Sequence, residues 1–274
     1  MAEPPQGSLP GLNPPRIGAL RRRGIYLLPN LFTTAALFAG FYAIVQAMNQ
    51  RFDIAAVAIL VAMVLDGLDG RVARLTRTQS EFGAQYDSLS DMVSFGAAPA
   101  LVLYEWALKG LGRIGWIAAF VYCAGAALRL ARFNVNIEVV DKRFFQGLPS
   151  PAAAALVAGF VWLVQDNKIP LDEYRLPWVA AFVALYTGLT MVSNVPFYSF
   201  KDINFRRAVP FWAILLVVLA FVLVSFDPPI VLFVLFCAYG LSGYAVYGWR
   251  RMKGRPASVI ATSTDEPDEQ GLHQ

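Results

Sequence analysis

Four aspartates recur with glycines and an arginine inside an otherwise apolar stretch: Asp66, Asp69, Gly70, Ala73 and Arg74, then Gly83, Asp87 and Asp91. On a helix, Asp69, Gly70, Ala73 and Arg74 follow Asp66 at i+3, i+4, i+7 and i+8 and share one face, while Asp87 and Asp91 share a face of the next helix. A turn over Thr76 to Gly83 lets the two helices run antiparallel, so the four carboxylates converge. A carboxylate at the centre of a bilayer-spanning helix costs roughly 2.5 to 3.5 kcal/mol. Four of them in one short segment therefore need a compensating charge. Oxygen ligands without histidine or cysteine suit Mg²⁺ or Mn²⁺ better than zinc. Two such ions about 3.5 to 4 Å apart bind the attacking and leaving oxygens in phosphoryl chemistry. Arg74 is placed to neutralise a phosphate oxygen, and Gly70 and Ala73 leave room for a ligand to approach the backbone. Together they fit a diphosphate substrate.

The elements that must position these residues are membrane helices. The chain has 274 residues, 57% of them hydrophobic and 15% charged, and a mean hydropathy of +0.50, far more apolar than a soluble domain needs. Apolar spans read at Ile25–Met48, Ile54–Leu75, Asp87–Leu108, Ile114–Phe133, Pro151–Val164, Leu176–Val192, Ala208–Phe226 and Pro229–Trp249, most near the length of about 20 residues needed to cross. The expected fold is all-α, a polytopic membrane helix bundle of about eight transmembrane helices. Eight spans put 18 of the 23 Lys and Arg on the side of both termini, which the positive-inside rule makes cytoplasmic. The net charge of +4 then reports topology and anionic lipid, not nucleic acid.

Residues 1–15, rich in proline and glycine, are expected to be a disordered tail, 16–253 the membrane domain, and 254–274 a second disordered tail. The mixed basic and apolar run from Ile17 to Leu28 fits a short N-terminal helix lying at the cytoplasmic interface. Cys123 and Cys237 fall in apolar spans, which indicates neither a disulfide framework nor a thiolate metal site. The only histidine, His273, lies in the tail, which removes histidine as catalytic base or zinc ligand. Small residues at Ala152–Ala155, Gly96–Ala98 and Gly125–Ala127 would let helices approach closely.

The run Asp66-x2-Asp69-Gly70-x2-Ala73-Arg74-x8-Gly83-x3-Asp87-x3-Asp91 resembles the full signature of the CDP-alcohol phosphatidyltransferase family, with every defining position occupied. The resemblance implies that Asp66, Asp69 and Asp87 bind metal, and that Asp91 contributes to metal binding and is the proposed general base. It also implies that Gly70, Arg74 and a loop hydroxyl, here Ser80, contact the CDP moiety. Asp91 as ligand only stays an open alternative. Segments around Asn30 and Thr33, Arg129 to Asn134, Phe145 to Ala154 and Met191 to Lys201 resemble the multispanning phosphatidylserine synthase branch of that family. The likeness runs from about Arg22 to Lys201. It implies CDP-diacylglycerol and L-serine as substrates, two Mg²⁺ or Mn²⁺ ions, a bacterial cell (inner) membrane with the active site on the cytoplasmic side, and a homodimer. Asn30 and Thr33 are then candidate substrate contacts at the cytoplasmic end of the first span. Arg129, Arg132 and Asn134 are candidates for the zwitterionic acceptor.

Other readings remain open. The acceptor could be glycerol 3-phosphate, choline or an inositol, although choline favours an aromatic cage over arginines. Intramembrane carboxylates also line cation paths in transporters, but those acids are spread over several helices, whereas here all four share one segment.

Overall fold

The computed structural model describes residues 17–76, 80–135, 144–199 and 211–253. The expected tails, 1–15 and 254–274, lie outside them, as do Arg16 and Ala208. The described chain is an all-α membrane protein apart from one short strand pair. Its helices are α1 (Ile17–Met48), α2 (Phe52–Thr76), α3 (Glu81–Asp91), α4 (Ala98–Leu103), α5 (Arg113–Val135), α6 (Ser150–Gln165), α7 (Leu176–Val192), α8 (Phe211–Phe226) and α9 (Pro228–Met252). Three stretches, Asn30–Met48, Arg113–Val135 and Pro228–Met252, are long and apolar enough to cross a bilayer, and α6 and α7 are shorter apolar helices. At 1.5 Å per residue, the 16 residues of α6 reach only about 24 Å, short of a hydrocarbon core of about 30 Å.

Two expectations need adjusting. Among the described residues no separate interfacial helix precedes the first span, because α1 runs unbroken from Ile17 to Met48. The chain is also not purely helical. Phe144–Gln146 (β1) and Pro196–Tyr198 (β2) pair antiparallel, with Phe145 opposite Phe197. Two prolines border the pair: Pro149 leads into α6, and Pro196, which has no N–H to donate, opens β2. Gly147, at φ +77, donates its N–H to Val195 O at 2.9 Å, and Leu148 N–H reaches Thr190 O at 3.1 Å. A Cβ at Gly147 would come 2.2 Å from Met191 O, so only glycine fits here.

The expected third span is one helical run with two π-helical segments, Met92–Ala97 and Tyr104–Leu108. Pro99 has no N–H to give Phe95 O four residues earlier. The fully buried Tyr122 supplies a donor instead, its hydroxyl 2.9 Å from Phe95 O.

Alanines fill the core: Ala43, Ala55, Ala56, Ala62, Ala98, Ala126, Ala153, Ala154, Ala155 and Ala184 are all buried. Small side chains let helices pack by close contact where lipid offers no hydrophobic drive for association. At the α5–α7 crossing a Cβ on Gly125 would stand 2.5 Å from Gly188 O. Large apolar side chains point outward instead. Phe38 and Phe182 are each 68% exposed and Phe120 62%, surface that a chain in water would bury and that lipid accepts. Cys123 and Cys237 are free thiols.

Candidate active site

The second halves of α2 and α3 face each other at the aspartates, as the spacing predicts. Ligand oxygens of Asp66, Asp69 and Asp87 all lie within 4.8 Å of one another. Asp91 is not part of that set, but its carboxylate is within hydrogen-bonding reach of Asp66, as Asp69 is of Asp87. Four carboxylates this close repel one another unless they share protons or meet a counter-charge. Oxygens bound to one divalent cation at about 2.1 to 2.5 Å each stand no more than roughly 4 to 5 Å apart, so the triple can hold such an ion. Asp87 Oδ1 supports the fit, because it is buried and has no hydrogen-bond donor among the described residues.

Neighbouring elements hold this cluster. Thr33 on α1 is 4% exposed, and its hydroxyl donates to Asp69 Oδ2 at 2.7 Å. Ser90 and Ser94 on the third helical run donate to Thr33 O and Ala36 O, each at 3.1 Å, which fixes that run against α1. Ser80 caps α3, accepting the Gly83 N–H at 3.0 Å. Its own hydroxyl proton is left to donate elsewhere. Asn30 Oδ1 also lies near Gly83, 3.5 Å from where a Cβ would stand. Asn30, Ser80 and Gly83 thus form one polar group beside the aspartates. Gly70 is exposed, with open space where a Cβ would be, and Arg74 is exposed one turn on.

The acceptor candidates separate into three surroundings. Arg129 turns inward: its Nη1 donates to Ser150 Oγ at 2.6 Å, it feels the charge of Asp91, and its buried Nε has no partner among the described residues. Arg132, one turn further along α5, donates through Nη1 to Val192 O at 2.9 Å and Asn194 Oδ1 at 3.2 Å. Asn134 exchanges hydrogen bonds with Ser88, the neighbour of Asp87, with Nδ2 3.1 Å from Ser88 Oγ. All three sit at the aspartate end of the bundle.

Ser150, Ser88, Gln146 and Asn194 were not singled out for roles by the spacing argument. Gln146 ends β1 and Asn194 lies in the link between α7 and β2, and the positive-φ glycine that follows Gln146 is the signal that could have marked it. Gln146 Nε2 donates to Asn194 Oδ1 at 2.8 Å.

Comparison with known proteins agrees with this geometry. The profile described as CDP-alcohol phosphatidyltransferase matches residues 26–192, which take in all four aspartates. A CDP-diacylglycerol–serine O-phosphatidyltransferase of Helicobacter pylori is 40% identical over 182 residues, 66% of this chain and 76% of that protein. One of Mycobacterium bovis is 37% identical over 184 residues, 64% of this chain and 63% of its own. One of Methanocaldococcus jannaschii is 38% identical over 144 residues, 53% and 63% respectively. With a facing aspartate cluster on two helices and a profile that covers both, the chain belongs to the CDP-alcohol phosphatidyltransferase family.

Proposed function

We propose that this chain transfers a phosphatidyl group from CDP-diacylglycerol to the hydroxyl of L-serine, giving phosphatidylserine and CMP. The observation that carries the reading is the close set of Asp66, Asp69 and Asp87, with Asp91 against Asp66, in a chain whose relatives carry that activity in their names. Two Mg²⁺ or Mn²⁺ ions held by the four aspartates would screen the diphosphate and the charge gathering on departing CMP. The protein's own groups do the rest. The bare backbone at Gly70 admits the nucleotide, Arg74 pairs with a phosphate oxygen, and Ser80 and Asn30 offer a hydroxyl and an amide to the CDP group. Thr33 holds Asp69 in place.

The serine oxygen attacks the diacylglycerol-side phosphorus. The new P–O bond forms as the bridging P–O bond breaks, and its electron pair leaves with CMP. Asp91 takes the hydroxyl proton, and Arg129 beside it offsets its charge. Arg132 and Asn134 border the acceptor side.

The helical runs are read as eight crossings with both termini on the cytoplasmic face of a bacterial cell membrane. Arg71, Arg74, Arg129, Arg132, Arg250 and Arg251 then share the aspartate end, as the positive-inside rule requires. Serine and CMP are water-soluble and the acyl chains are not, so a site at that boundary reaches both phases.

The test is an assay of the purified protein with CDP-diacylglycerol and serine, glycerol 3-phosphate, choline or inositol in turn, with Mg²⁺ or Mn²⁺. Serine-dependent release of CMP together with phosphatidylserine is expected. Transfer to another alcohol and not to serine would refute the proposal.

A further inference from the structure

A polar chain runs from Arg132 on α5 through Asn194, just before β2, to Gln146 at the end of β1, and ends on an unused atom. Arg132 can only donate hydrogen bonds, so the Asn194 side-chain atom that meets it must be Oδ1. The same oxygen accepts from Gln146, which must therefore present Nε2 to it. The orientation of both amides follows from the arginine. Gln146 Oε1 is consequently turned away from Asn194, and it is buried with no hydrogen-bond donor among the described residues. A buried acceptor left without a partner is unfavourable. On the other arm of the chain, Asn194 Nδ2 and Arg132, whose bonds to Val192 O and Asn194 Oδ1 both use Nη1, offer further N–H donors.

We infer that Gln146, Asn194 and Arg132 form the subsite that reads the α-amino acid part of the acceptor, with Gln146 Oε1 accepting the ammonium and Asn194 Nδ2 and Arg132 binding the carboxylate. The inference rests on the proposed serine transfer and names the residues that select the acceptor. One acceptor atom and a set of donors, joined by a shared hydrogen-bonded oxygen, match a zwitterion in both signs. The same oxygen would turn away an anionic acceptor such as glycerol 3-phosphate and has no N–H to meet in choline. The position is right as well. Arg132 follows Arg129 by three residues on α5, less than one turn, and Arg129 is the cation beside Asp91. Asn134, on the same helix end, is hydrogen-bonded to Ser88 next to Asp87. Gly147 locks the strand pair onto the end of α7, which keeps Gln146 within reach of Asn194.

The experiment compares Gln146→Met and Gln146→Glu with the unaltered enzyme by steady-state kinetics, reading KM separately for L-serine and for CDP-diacylglycerol. KM does not depend on the folded fraction, so partial misfolding leaves the comparison valid. Loss of one hydrogen bond to a charged group predicts a serine KM raised about tenfold to a hundredfold in Gln146→Met, with the CDP-diacylglycerol KM unchanged. Gln146→Glu keeps an acceptor oxygen for the ammonium but sets its other oxygen against Asn194 Oδ1, so its serine KM should rise clearly less than that of Gln146→Met. An unchanged serine KM in Gln146→Met, or equal rises for both substrates or in both variants, overturns the assignment. If the unaltered enzyme fails to use serine at all, the proposed function has failed instead, which is a separate result.

Discussion

Removing the Thr33 hydroxyl tests the contact behind the aspartate cluster. Thr33→Val keeps the shape of the side chain and deletes the 2.7 Å hydrogen bond to Asp69 Oδ2. The site is buried, with Thr33 at 4% and Asp69 at 5% exposure, so water does not readily take the place of the hydroxyl. A hydrogen bond to a charged group contributes about 1.5 to 3 kcal/mol, or roughly 10- to 150-fold in an equilibrium constant. That bond orients a carboxylate proposed to hold metal, and groups that orient a ligand typically change metal affinity 10- to 100-fold. The expected outcome is a metal-activation curve displaced at least tenfold to higher Mg²⁺ or Mn²⁺, with the maximal rate largely recovered at saturation. Thr33→Ser retains the donor and should track the unaltered protein within about threefold. The assay is CMP release at fixed CDP-diacylglycerol and serine, titrated with metal. An unchanged midpoint in Thr33→Val, or a loss of rate that no metal concentration restores, would refute the positioning role.

Asp87→Asn, at the carboxylate with the buried unpartnered oxygen, should abolish turnover and weaken metal binding measured by calorimetry. Normal activity in that variant would dismiss the metal-cluster reading. Gly125→Ala forces a Cβ to 2.5 Å from Gly188 O and should cost about 1 to 3 kcal/mol, seen as a lower melting temperature in detergent. Gly70→Ala meets open space and gains up to about 1 kcal/mol of helix propensity, so it should melt no lower, while its KM for CDP-diacylglycerol rises. Lys168 beside Asp227, at 2.8 Å, holds that carboxyl below its ordinary value of 3.8. A depressed carboxyl stabilises the fold above that value and loses the contribution as pH falls through the folded one. The small stability gap between the unaltered protein and Asp227→Asn should therefore be present at neutral pH and close on acidification below pH 3.8.

The aspartate site was legible because its information is periodic. Spacings of three, four and seven residues place side chains on one helix face whatever the tertiary structure, and the facing of α2 and α3 follows once the connecting turn is short. The helices were legible for the same reason: the expected Leu176–Val192 matches α7 end to end, and α5 and α6 match within two residues. What escaped lacks a period. Three-residue strands on either side of a break carry no alternation to detect, and the pairing of Gln146 with Pro196 joins segments 50 residues apart. The π-helical turns also escaped, since Pro99 marks a missing donor but does not say that Tyr122, on another helix, will replace it. Arg129 and Arg132 looked equivalent as cations at one helix end, and only the structure separates the one facing Asp91 from the one facing Asn194.

The bare crossing of Gly125 over Gly188 bears on how such a protein can acquire a new acceptor. It brings two backbones into direct contact just below the point where α5 carries Arg129 and Arg132 and α7 leads into Asn194. Neither helix can shift there without separating the other, so the distance between the arginines and the strand pair is held by main chain rather than by replaceable side chains. Directed evolution toward other alcohols should therefore yield few useful changes in the helices. Productive substitutions should gather at Gln146, Asn194 and their neighbours, where specificity can be rewritten while the aspartates stay in place.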